Sequence, residues 1–170
     1  MRAFVLIGGW PGSGKTTLTR ALAPELALPY LSKDEVKEAL MDALGAPRDV
    51  EESRVLGRAA VLAVLRAAHG CPGAVIDSTW FDYTEPLVRA LPAPVVEVRC
   101  RVDLDVARTR YGRRRRDERH LDDQRDEDEL WGSEVKTLGV GPLVEVDTTD
   151  PVDVRRLASQ IRSAVPDAQG

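Results

Sequence analysis

The 170-residue chain lacks several features, and each absence excludes a class of protein. It has only two cysteines, Cys71 and Cys100, which cannot form the disulfide framework of a small secreted domain. No apolar run approaches the roughly 20 residues that a membrane-spanning helix needs. The apolar stretch at residues 4–7 is also too short for the core of a signal peptide. These absences favour an intracellular protein, and we expect it in the cytoplasm with no membrane partner.

The chain also lacks an excess of positive charge. Its 24 Lys and Arg residues stand against 28 Asp and Glu residues, which gives a formal net charge of −4. Because dedicated nucleic-acid-binding domains are usually basic, this balance argues against one, although it leaves room for a local basic patch. Hydrophobic residues make up 43% of the chain, which predicts a packed core. The length predicts a single domain over residues 1–170.

What the chain does contain is an alternation of short apolar runs and longer amphipathic stretches. The short runs predict strands at residues 3–7, 29–31, 74–77, 95–100 and 143–146. The longer stretches predict helices at residues 15–27, 34–44, 50–69, 85–91, 103–113, 130–138 and 151–165, the last with Pro151 in its first turn. Strands that alternate with helices imply an α/β fold, with a parallel sheet covered on both faces by right-handed crossovers.

The most informative segment lies between the first predicted strand and the first predicted helix. Residues 9–16, GWPGSGKT, satisfy the pattern G-x-x-x-x-G-K-[ST] in the structural context that the pattern requires. The glycines let successive backbone N–H groups converge on phosphate oxygens, and the following helix adds its positive N-terminal dipole. Lys15 is expected to reach the β- and γ-phosphates, and the Thr16 hydroxyl is expected to ligate Mg²⁺. The predicted nucleotide contacts are Gly9, Pro11, Gly12, Ser13, Gly14, Lys15, Thr16 and Thr17.

The rest of the sequence narrows the kind of P-loop protein. It has no N-K-x-D segment, which guanine-nucleotide switches need to read the base, and no L-S-G-G-Q segment of an ABC-type ATPase. The third predicted strand ends in Asp77-Ser78-Thr79 rather than in the Asp-Glu pair expected of a hydrolytic motor. Ligands of open α/β folds bind at the carboxyl ends of the strands, so Asp77 is predicted to border the substrate there and to hold Mg²⁺ directly or through water. The alternative is a capping or turn aspartate.

Asp34 follows the second predicted strand, at the edge of the sheet that faces the phosphates. A carboxylate at this position can accept a proton from an attacking hydroxyl group, which is the role of a general base in phosphoryl transfer. The local sequence alone supports a second interpretation equally well, in which Asp34 only interacts favourably with the dipole of its helix.

A charged segment at about residues 108–130 is the third signal, and it predicts a lid. Eight arginines of this segment are interleaved with eight acidic residues, so it is not an open polycation suited to nucleic acid. Arg110 and Arg114 are four residues apart and share a helical face. Arginines on a closing lid stabilise charge on the transferring phosphoryl group and exclude water. We therefore predict that Arg110 and Arg114 are catalytic and neutralise the moving phosphoryl group. Arg113 is a further candidate that would bind substrate, and we expect a solvated face for most of the others.

These features resemble the small P-loop kinases of the nucleoside-monophosphate-kinase-like group, which includes gluconate and shikimate kinases, chloramphenicol phosphotransferases, zeta toxins and polynucleotide 5′-kinases. The resemblance covers nearly the whole chain in element order and depends on residues 9–17, 32–35, 77–79 and 110–119. It implies a three-layer P-loop fold with a five-stranded parallel sheet in the order 2-3-1-4-5 and a helical, arginine-rich lid. It also implies ATP and Mg²⁺ as cofactors.

The polynucleotide kinase pattern is the most similar at the level of residues. Its basic residue and catalytic aspartate fall on Lys33 and Asp34, which implies that Asp34 is the base, and its lid arginines fall on Arg110 and Arg114. A position that contacts a substrate phosphate in that family falls on Lys37. Two features depart from the pattern: lysine replaces arginine at Lys37, and a Pro-Gly element of the lid is absent, so lid closure is expected to differ.

The predicted function is therefore ATP-dependent transfer of the γ-phosphoryl group to a hydroxyl group of a small molecule such as a sugar, a nucleoside or an antibiotic. Two alternatives stay open at this point. One is a kinase that acts on the 5′-hydroxyl group of a polynucleotide, and the other is a nucleotide-binding regulatory module with little transfer activity.

Overall fold

A five-stranded parallel sheet is the centre of the computed structural model, which describes residues 1–113, 118–121, 124, 127–131 and 137–165. The sheet has the order β2-β3-β1-β4-β5, which confirms the predicted order and parallel pairing. The strands are β1 (Phe4–Gly9), β2 (Tyr30–Ser32), β3 (Ala74–Asp77), β4 (Val95–Arg101) and β5 (Leu143–Asp147).

Helices on both faces of the sheet connect its strands. Short polar side chains begin several of them, because a side-chain oxygen at the first position accepts a backbone N–H that the helix itself leaves unpaired. Ser32 accepts from the Glu35 N–H at 3.3 Å in this way. The helices are α1 (Lys15–Leu26), α2 (Lys33–Leu44), α3 (Val50–Ala68), α4 (Glu85–Arg89), α5 (Leu104–Arg113), α6 (Glu127–Trp131) and α7 (Val154–Ala164), with single 3-10 turns at Asp82–Thr84 and Glu118–His120.

The structure corrects two of the predicted helices. The closing helix does not include Pro151 in its first turn, because Asp153 caps the helix by accepting the Arg156 N–H at 3.0 Å. The helix predicted at residues 130–138 begins earlier, at Glu127, and Leu138 is not helical. The Leu138 N–H instead donates to the buried carboxylate of Glu97 at 2.7 Å, which ties this backbone to β4. Residues 132–136 lie outside the described part of the chain.

The core is divided between the two faces of the sheet. Successive residues of a strand point to opposite faces, so the apolar run of β1 contributes to both layers. Val5 and Ile7 pack in a cluster with residues of α1 and α7, whereas Phe4 and Leu6 pack in a second cluster with residues of α3 and α4. This arrangement explains why β1 reads as a continuous apolar run rather than an alternating one.

The strand register brings the ends of three strands to one edge of the sheet. Asp77 of β3 lies opposite Ile7 of β1 on one side and opposite Ser32 of β2 on the other. The loop after β1, the carboxylate at the end of β3 and the first turn of α2 are therefore neighbours. Within the described ranges, no helix is long and apolar enough to cross a membrane.

Candidate functional site

The loop between β1 and α1 has a backbone that only glycine adopts readily. Gly12 has a φ of +76° and Gly14 a φ of +83°, in the left-handed region. A Cβ atom on Gly12 would lie 2.3 Å from the carbonyl oxygen of Ala107 in α5, so this part of the loop packs directly against that helix. Gly14 occupies the position before α1, where the first backbone N–H groups have no partner within the helix. The loop therefore presents the start of α1 as an anion-binding surface.

Lys15 lies over this loop. Its Nζ atom donates to the carbonyl oxygen of Gly9 at 2.9 Å and to that of Trp10 at 2.7 Å. The ammonium group is thus held beside the backbone that would surround a phosphate. This location fits the role that the sequence predicts for Lys15.

Thr16 and Asp77 are brought together although they are 61 residues apart in the chain. The Thr16 hydroxyl donates to Oδ2 of Asp77 at 2.7 Å, and Asp77 is almost fully buried. These two oxygen ligands fit Mg²⁺, which binds proteins through one or two oxygens and takes its other ligands from phosphates and water. The described residues contain no group of three or more His, Cys, Asp or Glu that could form a closed protein cage for a metal.

Asp34 lies in the first turn of α2, directly after β2. Lys33 is its neighbour, with 3.3 Å between Lys33 Nζ and Asp34 Oδ1, and both side chains are partly exposed. A Cβ atom on Gly57 of α3 would lie 3.5 Å from Lys33 Nζ, so α3 borders this ion pair. The carboxylate is partly exposed, and the strand before it pairs directly with the strand that ends in Asp77.

Lys37 is buried between α2, α3 and the 3-10 turn at Glu118–His120. Only 1% of its surface is exposed, and its Nζ atom donates to Oγ of Ser53 at 2.7 Å. The Ser53 hydroxyl in turn donates to the carbonyl oxygen of His120 at 3.3 Å. The resemblance assigns Lys37 to a substrate phosphate, but the structure buries its ammonium group against Ser53 instead of exposing it to a substrate. In this structure Lys37 supports the junction of three elements. Sequence reasoning missed Ser53. The feature that could have indicated it is the position of a serine on the apolar face of α3.

The same 3-10 turn makes two further contacts with α2. Nε2 of His120 lies 2.9 Å from Oε1 of Glu38, and Arg119 donates to Asp42 at 2.8 Å. His120 is 1% exposed, so its contact with Glu38 is shielded from solvent on the His120 side. Through these contacts, the 3-10 turn of the arginine-rich segment packs against the helix that carries Asp34.

Of the predicted lid arginines, Arg110 has a defined partner. Its guanidinium group donates to the carbonyl oxygen of Thr148 at 2.8 Å and to that of Thr149 at 2.6 Å, in the loop after β5. This loop approaches the P-loop, since a Cβ atom on Gly14 would lie 3.9 Å from Cβ of Thr148. Arg113 is exposed at the end of α5, and Arg114 lies outside the described residues.

An aromatic cluster that the sequence analysis missed covers one side of the P-loop. The ring of Trp131 in α6 lies 5.9 Å from that of Trp10 in the loop and 5.6 Å from that of Tyr111 in α5. The Arg108 guanidinium group lies 5.6 Å from the centre of the Trp131 ring. Trp131 is 8% exposed, so the cluster anchors α6 over the loop. A tryptophan inside the P-loop is the signal that could have indicated it.

Cys100 lies beneath the start of the loop. A Cβ atom on Gly9 would lie 2.9 Å from the Cys100 carbonyl oxygen and 3.0 Å from its Cβ atom. Burial raises the pKa of the Cys100 thiol to about 12, and Asp77 acts in the same direction while Lys15 opposes it. A thiol with so high a pKa is neutral at physiological pH, so Cys100 packs the loop and is no nucleophile.

Comparison with known proteins identifies a matching family model. Residues 4–130 match a family model described as an AAA domain. The matched segment includes the P-loop, Asp34, Asp77 and the whole arginine-rich segment. An uncharacterized protein of Mycobacterium tuberculosis is 35% identical to this chain over 120 residues, a match that covers 59% of this chain and 23% of the relative. The chain therefore spans less than a quarter of the length of that relative.

Solved structures with the same architecture cover almost the whole chain. A candidate kinase from Chloroflexus aurantiacus is 29% identical with a TM-score of 0.80, and the match covers 98% of this chain and 100% of that one. A gluconokinase from Sinorhizobium meliloti is 17% identical with a TM-score of 0.65, and the match covers 96% of this chain and 94% of that one. These similarities confirm the expected three-layer α/β P-loop fold.

Proposed function

Since the chain belongs to the AAA domain family and is a small P-loop protein of the nucleoside-monophosphate-kinase-like group, we propose that it is an ATP-dependent kinase. The observation that carries this proposal is the neighbourhood of three strand ends. The phosphate loop follows β1, Asp77 ends β3 with its carboxylate 2.7 Å from the Thr16 hydroxyl, and Asp34 follows β2. A phosphate site, a pair of metal-binding oxygens and a candidate base thus lie side by side.

In the proposed reaction, the backbone of residues 9–17 and Lys15 bind the phosphates of ATP. Thr16 and Asp77 would hold Mg²⁺, which supplies charge neutralisation on the phosphate oxygens when it is bound. Asp34 accepts the proton of the acceptor hydroxyl as that oxygen forms a bond to the γ-phosphorus. The bond from the γ-phosphorus to the bridging oxygen breaks at the same time, and ADP leaves with the electron pair.

The arginine-rich segment has a separate role in this proposal. We assign residues 108–130 to a lid of a kinase domain that extends over residues 1–170. Arg110 supports the nucleotide side, because it holds the loop after β5 beside the P-loop. Arg113 and Arg114 are the candidates for stabilising negative charge on the transferring group, as guanidinium groups do in phosphoryl transfer.

The acceptor that we propose is a hydroxyl group of a small molecule. One structural relative is a gluconokinase, and the net charge of −4 does not favour a long nucleic-acid substrate. This supports a small acceptor over the 5′ end of a polynucleotide.

Transfer of label from γ-labelled ATP tests the proposal. The acceptors would be sugars, nucleosides, chloramphenicol, aminocyclitol antibiotics and 5′-hydroxyl oligonucleotides. We expect the label to move to one class of small acceptor. Asp34→Asn should retain ATP affinity and lose transfer by about 10²-fold or more, as expected for a positioned base.

Glu35→Gln is the matched control for this substitution. Glu35 lies in the same first turn of α2, but its side chain is half-exposed and pairs with Arg20 at 3.0 Å. Its replacement should leave turnover unchanged. Release of the label only as free phosphate, at equal rates in wild type and Asp34→Asn, would contradict the kinase assignment and favour a regulatory nucleotide-binding module.

A further inference from the structure

Two aromatic side chains lie exposed shortly after the strand that ends in Asp77. Phe81 is 53% exposed and Tyr83 is 43% exposed. Their ring centres are 5.8 Å apart and their planes differ by only 11°, so they form an offset stack. A stacked pair that is half open to solvent presents flat π surface to a third ring.

Arg58 of α3 completes this surface. Its guanidinium group lies 5.4 Å from the centre of the Tyr83 ring, within the range of a cation–π contact. Arg58 is exposed, and within the described part of the chain it forms no ion pair with a carboxylate. Its N–H donors are therefore available to an anion or to the polar edge of a heteroaromatic ring. We call Arg58, Phe81 and Tyr83 the ring platform.

The ring platform is connected to the catalytic region through α3. Arg58 directly follows Gly57, and a Cβ atom on Gly57 would lie 3.5 Å from Nζ of Lys33. Nζ of Lys33 is in turn 3.3 Å from Oδ1 of Asp34. The helix that carries Arg58 therefore borders the ion pair of the proposed base.

The ring platform is also close to the catalytic region along the chain, because its two aromatic residues follow β3. Phe81 follows Asp77 by four residues, so their Cα atoms are at most about 14 Å apart. Trp80, the residue before Phe81, is fixed against β1 because its Nε1 atom donates to the carbonyl oxygen of Ile7 at 3.0 Å. A single small molecule can thus contact the platform and still bring a hydroxyl group to the strand ends.

We infer that the ring platform is part of the acceptor site and that the acceptor is an alcohol with a planar aromatic or heteroaromatic ring, of the nucleoside type. This inference rests on the proposed kinase function. A planar ring gains stacking energy on an exposed aromatic face, largely independently of its substituents. An open-chain polyol gains little there, because its hydroxyl groups need hydrogen-bond partners that a flat apolar surface does not supply. The geometry therefore favours a ring-bearing alcohol over a sugar acid.

Direct binding tests this inference without relying on turnover. Equilibrium dialysis would measure the binding of adenosine, cytidine and chloramphenicol, with gluconate and shikimate as alcohols that lack an aromatic ring. The variants are Phe81→Leu and Tyr83→Leu, which keep apolar bulk and remove the flat ring. Tyr83→Phe is the matched control because it keeps the ring. ATP binding serves as the control for folding. Because both side chains are exposed, their replacement by leucine should leave the protein folded.

We expect at least one ring-bearing alcohol to bind the wild type more tightly than gluconate or shikimate do. Each leucine variant should weaken that binding roughly tenfold or more, as loss of a stacking partner does, whereas Tyr83→Phe should retain it. ATP affinity should not change. In the transfer assay, the leucine variants should raise the KM of the same acceptor and leave kcat near the wild-type value.

Three results would overturn the ring platform. The first is that no ring-bearing alcohol binds at millimolar concentration. The second is that wild type and both leucine variants bind the alcohol with equal affinity. The third is that the leucine variants change only the association state of the protein, as measured by sedimentation. The last result would mean that a polypeptide covers Phe81 and Tyr83. If the leucine variants lose ring binding but the wild type transfers label to no acceptor, the ring platform stands and the kinase assignment fails.

Discussion

The phosphate side and the acceptor side of the site are built in different ways. The phosphate side consists of consecutive residues 9–17, together with Asp77, which lies next to them through strand pairing. The side that we assign to the acceptor begins at α2, which is held in place by Lys37, Ser53 and the carbonyl oxygen of His120 from three separate elements. In the proposed kinase, the phosphate side thus depends on a local backbone conformation, whereas the acceptor side depends on side chains that meet only when helices pack. Substitutions on the two sides should therefore affect different substrates.

Lys15→Ala should have the largest effect and should act on the phosphate side. The substitution removes the ammonium group that lies over the loop, so we expect ATP affinity to fall and transfer to drop by about 10³-fold. Calorimetric ATP binding and transfer of γ-label measure the two effects. Arg20→Ala is a suitable control, since Arg20 is an exposed residue in the next turns of α1. A fully active Lys15→Ala protein would refute the assignment of the P-loop.

Asp77→Asn should have a smaller effect on the same side. Asparagine keeps an oxygen that can accept the hydrogen bond from the Thr16 hydroxyl, but it lacks the negative charge that favours Mg²⁺ binding. We expect the Mg²⁺ concentration that supports half-maximal transfer to rise roughly 10- to 100-fold. Titration of Mg²⁺ at saturating ATP is the measurement. An unchanged Mg²⁺ dependence would leave Asp77 with the structural role of a capping or turn residue.

Ser53→Ala should separate the two sides of the site. The substitution removes the hydroxyl that joins Lys37 to the His120 carbonyl, and we expect the free energy of unfolding to fall by about 1 kcal/mol. The KM of the acceptor should rise while the KM of ATP stays constant. Urea denaturation and steady-state kinetics measure these effects. Ser159→Ala on the exposed face of α7 is the control, and an equal rise in the KM of ATP would argue against two separable sides.

The two cysteines should differ in reactivity, with little effect on turnover. Because burial raises the pKa of Cys100 to about 12, only about one thiol in 10⁴ is ionised at pH 8, whereas Cys71 is partly exposed. Iodoacetamide should therefore modify Cys71 in the folded protein and Cys100 only after denaturation, as mass spectrometry would show. Equal modification of both thiols would contradict the burial of Cys100 beneath the P-loop.

The raised pKa of Cys100 also predicts a dependence of stability on pH. An unfolded thiol loses its proton near pH 8.5, whereas the folded thiol keeps its proton up to about pH 12. Unfolding therefore releases a proton in this window, so the contribution of Cys100 to stability is complete below pH 8.5 and falls as the pH rises. Urea denaturation at pH 7.5 and pH 10 measures the decrease, and Cys100→Ala should reduce it. An equal decrease in that variant would assign the effect to other groups.

Several features of the fold and the site were predictable because they depend on neighbouring residues. The alternation of apolar runs and amphipathic stretches indicated the parallel sheet, and β3 has the predicted bounds of residues 74–77. The glycine spacing indicated the P-loop for a similar reason, because each glycine adopts the backbone conformation that its own position needs. The helix predicted at residues 130–138 was wrong at its end, because the Leu138 N–H bonds to Glu97 in a distant strand, which local periodicity does not reveal.

By itself, the sequence determined the α/β class and the position of the P-loop, and the resemblance supplied the strand order. Only the tertiary structure decided that Lys37 bonds to Ser53, that Arg110 holds the loop after β5, that Trp131 covers the P-loop and that Phe81 and Tyr83 stay open beside Arg58. The physical reason is the range of the interactions. Backbone conformation and helix periodicity depend on residues a few positions apart. Of these side-chain partners, only Phe81 and Tyr83 are as close as two positions, and the others lie between 16 and 121 positions apart.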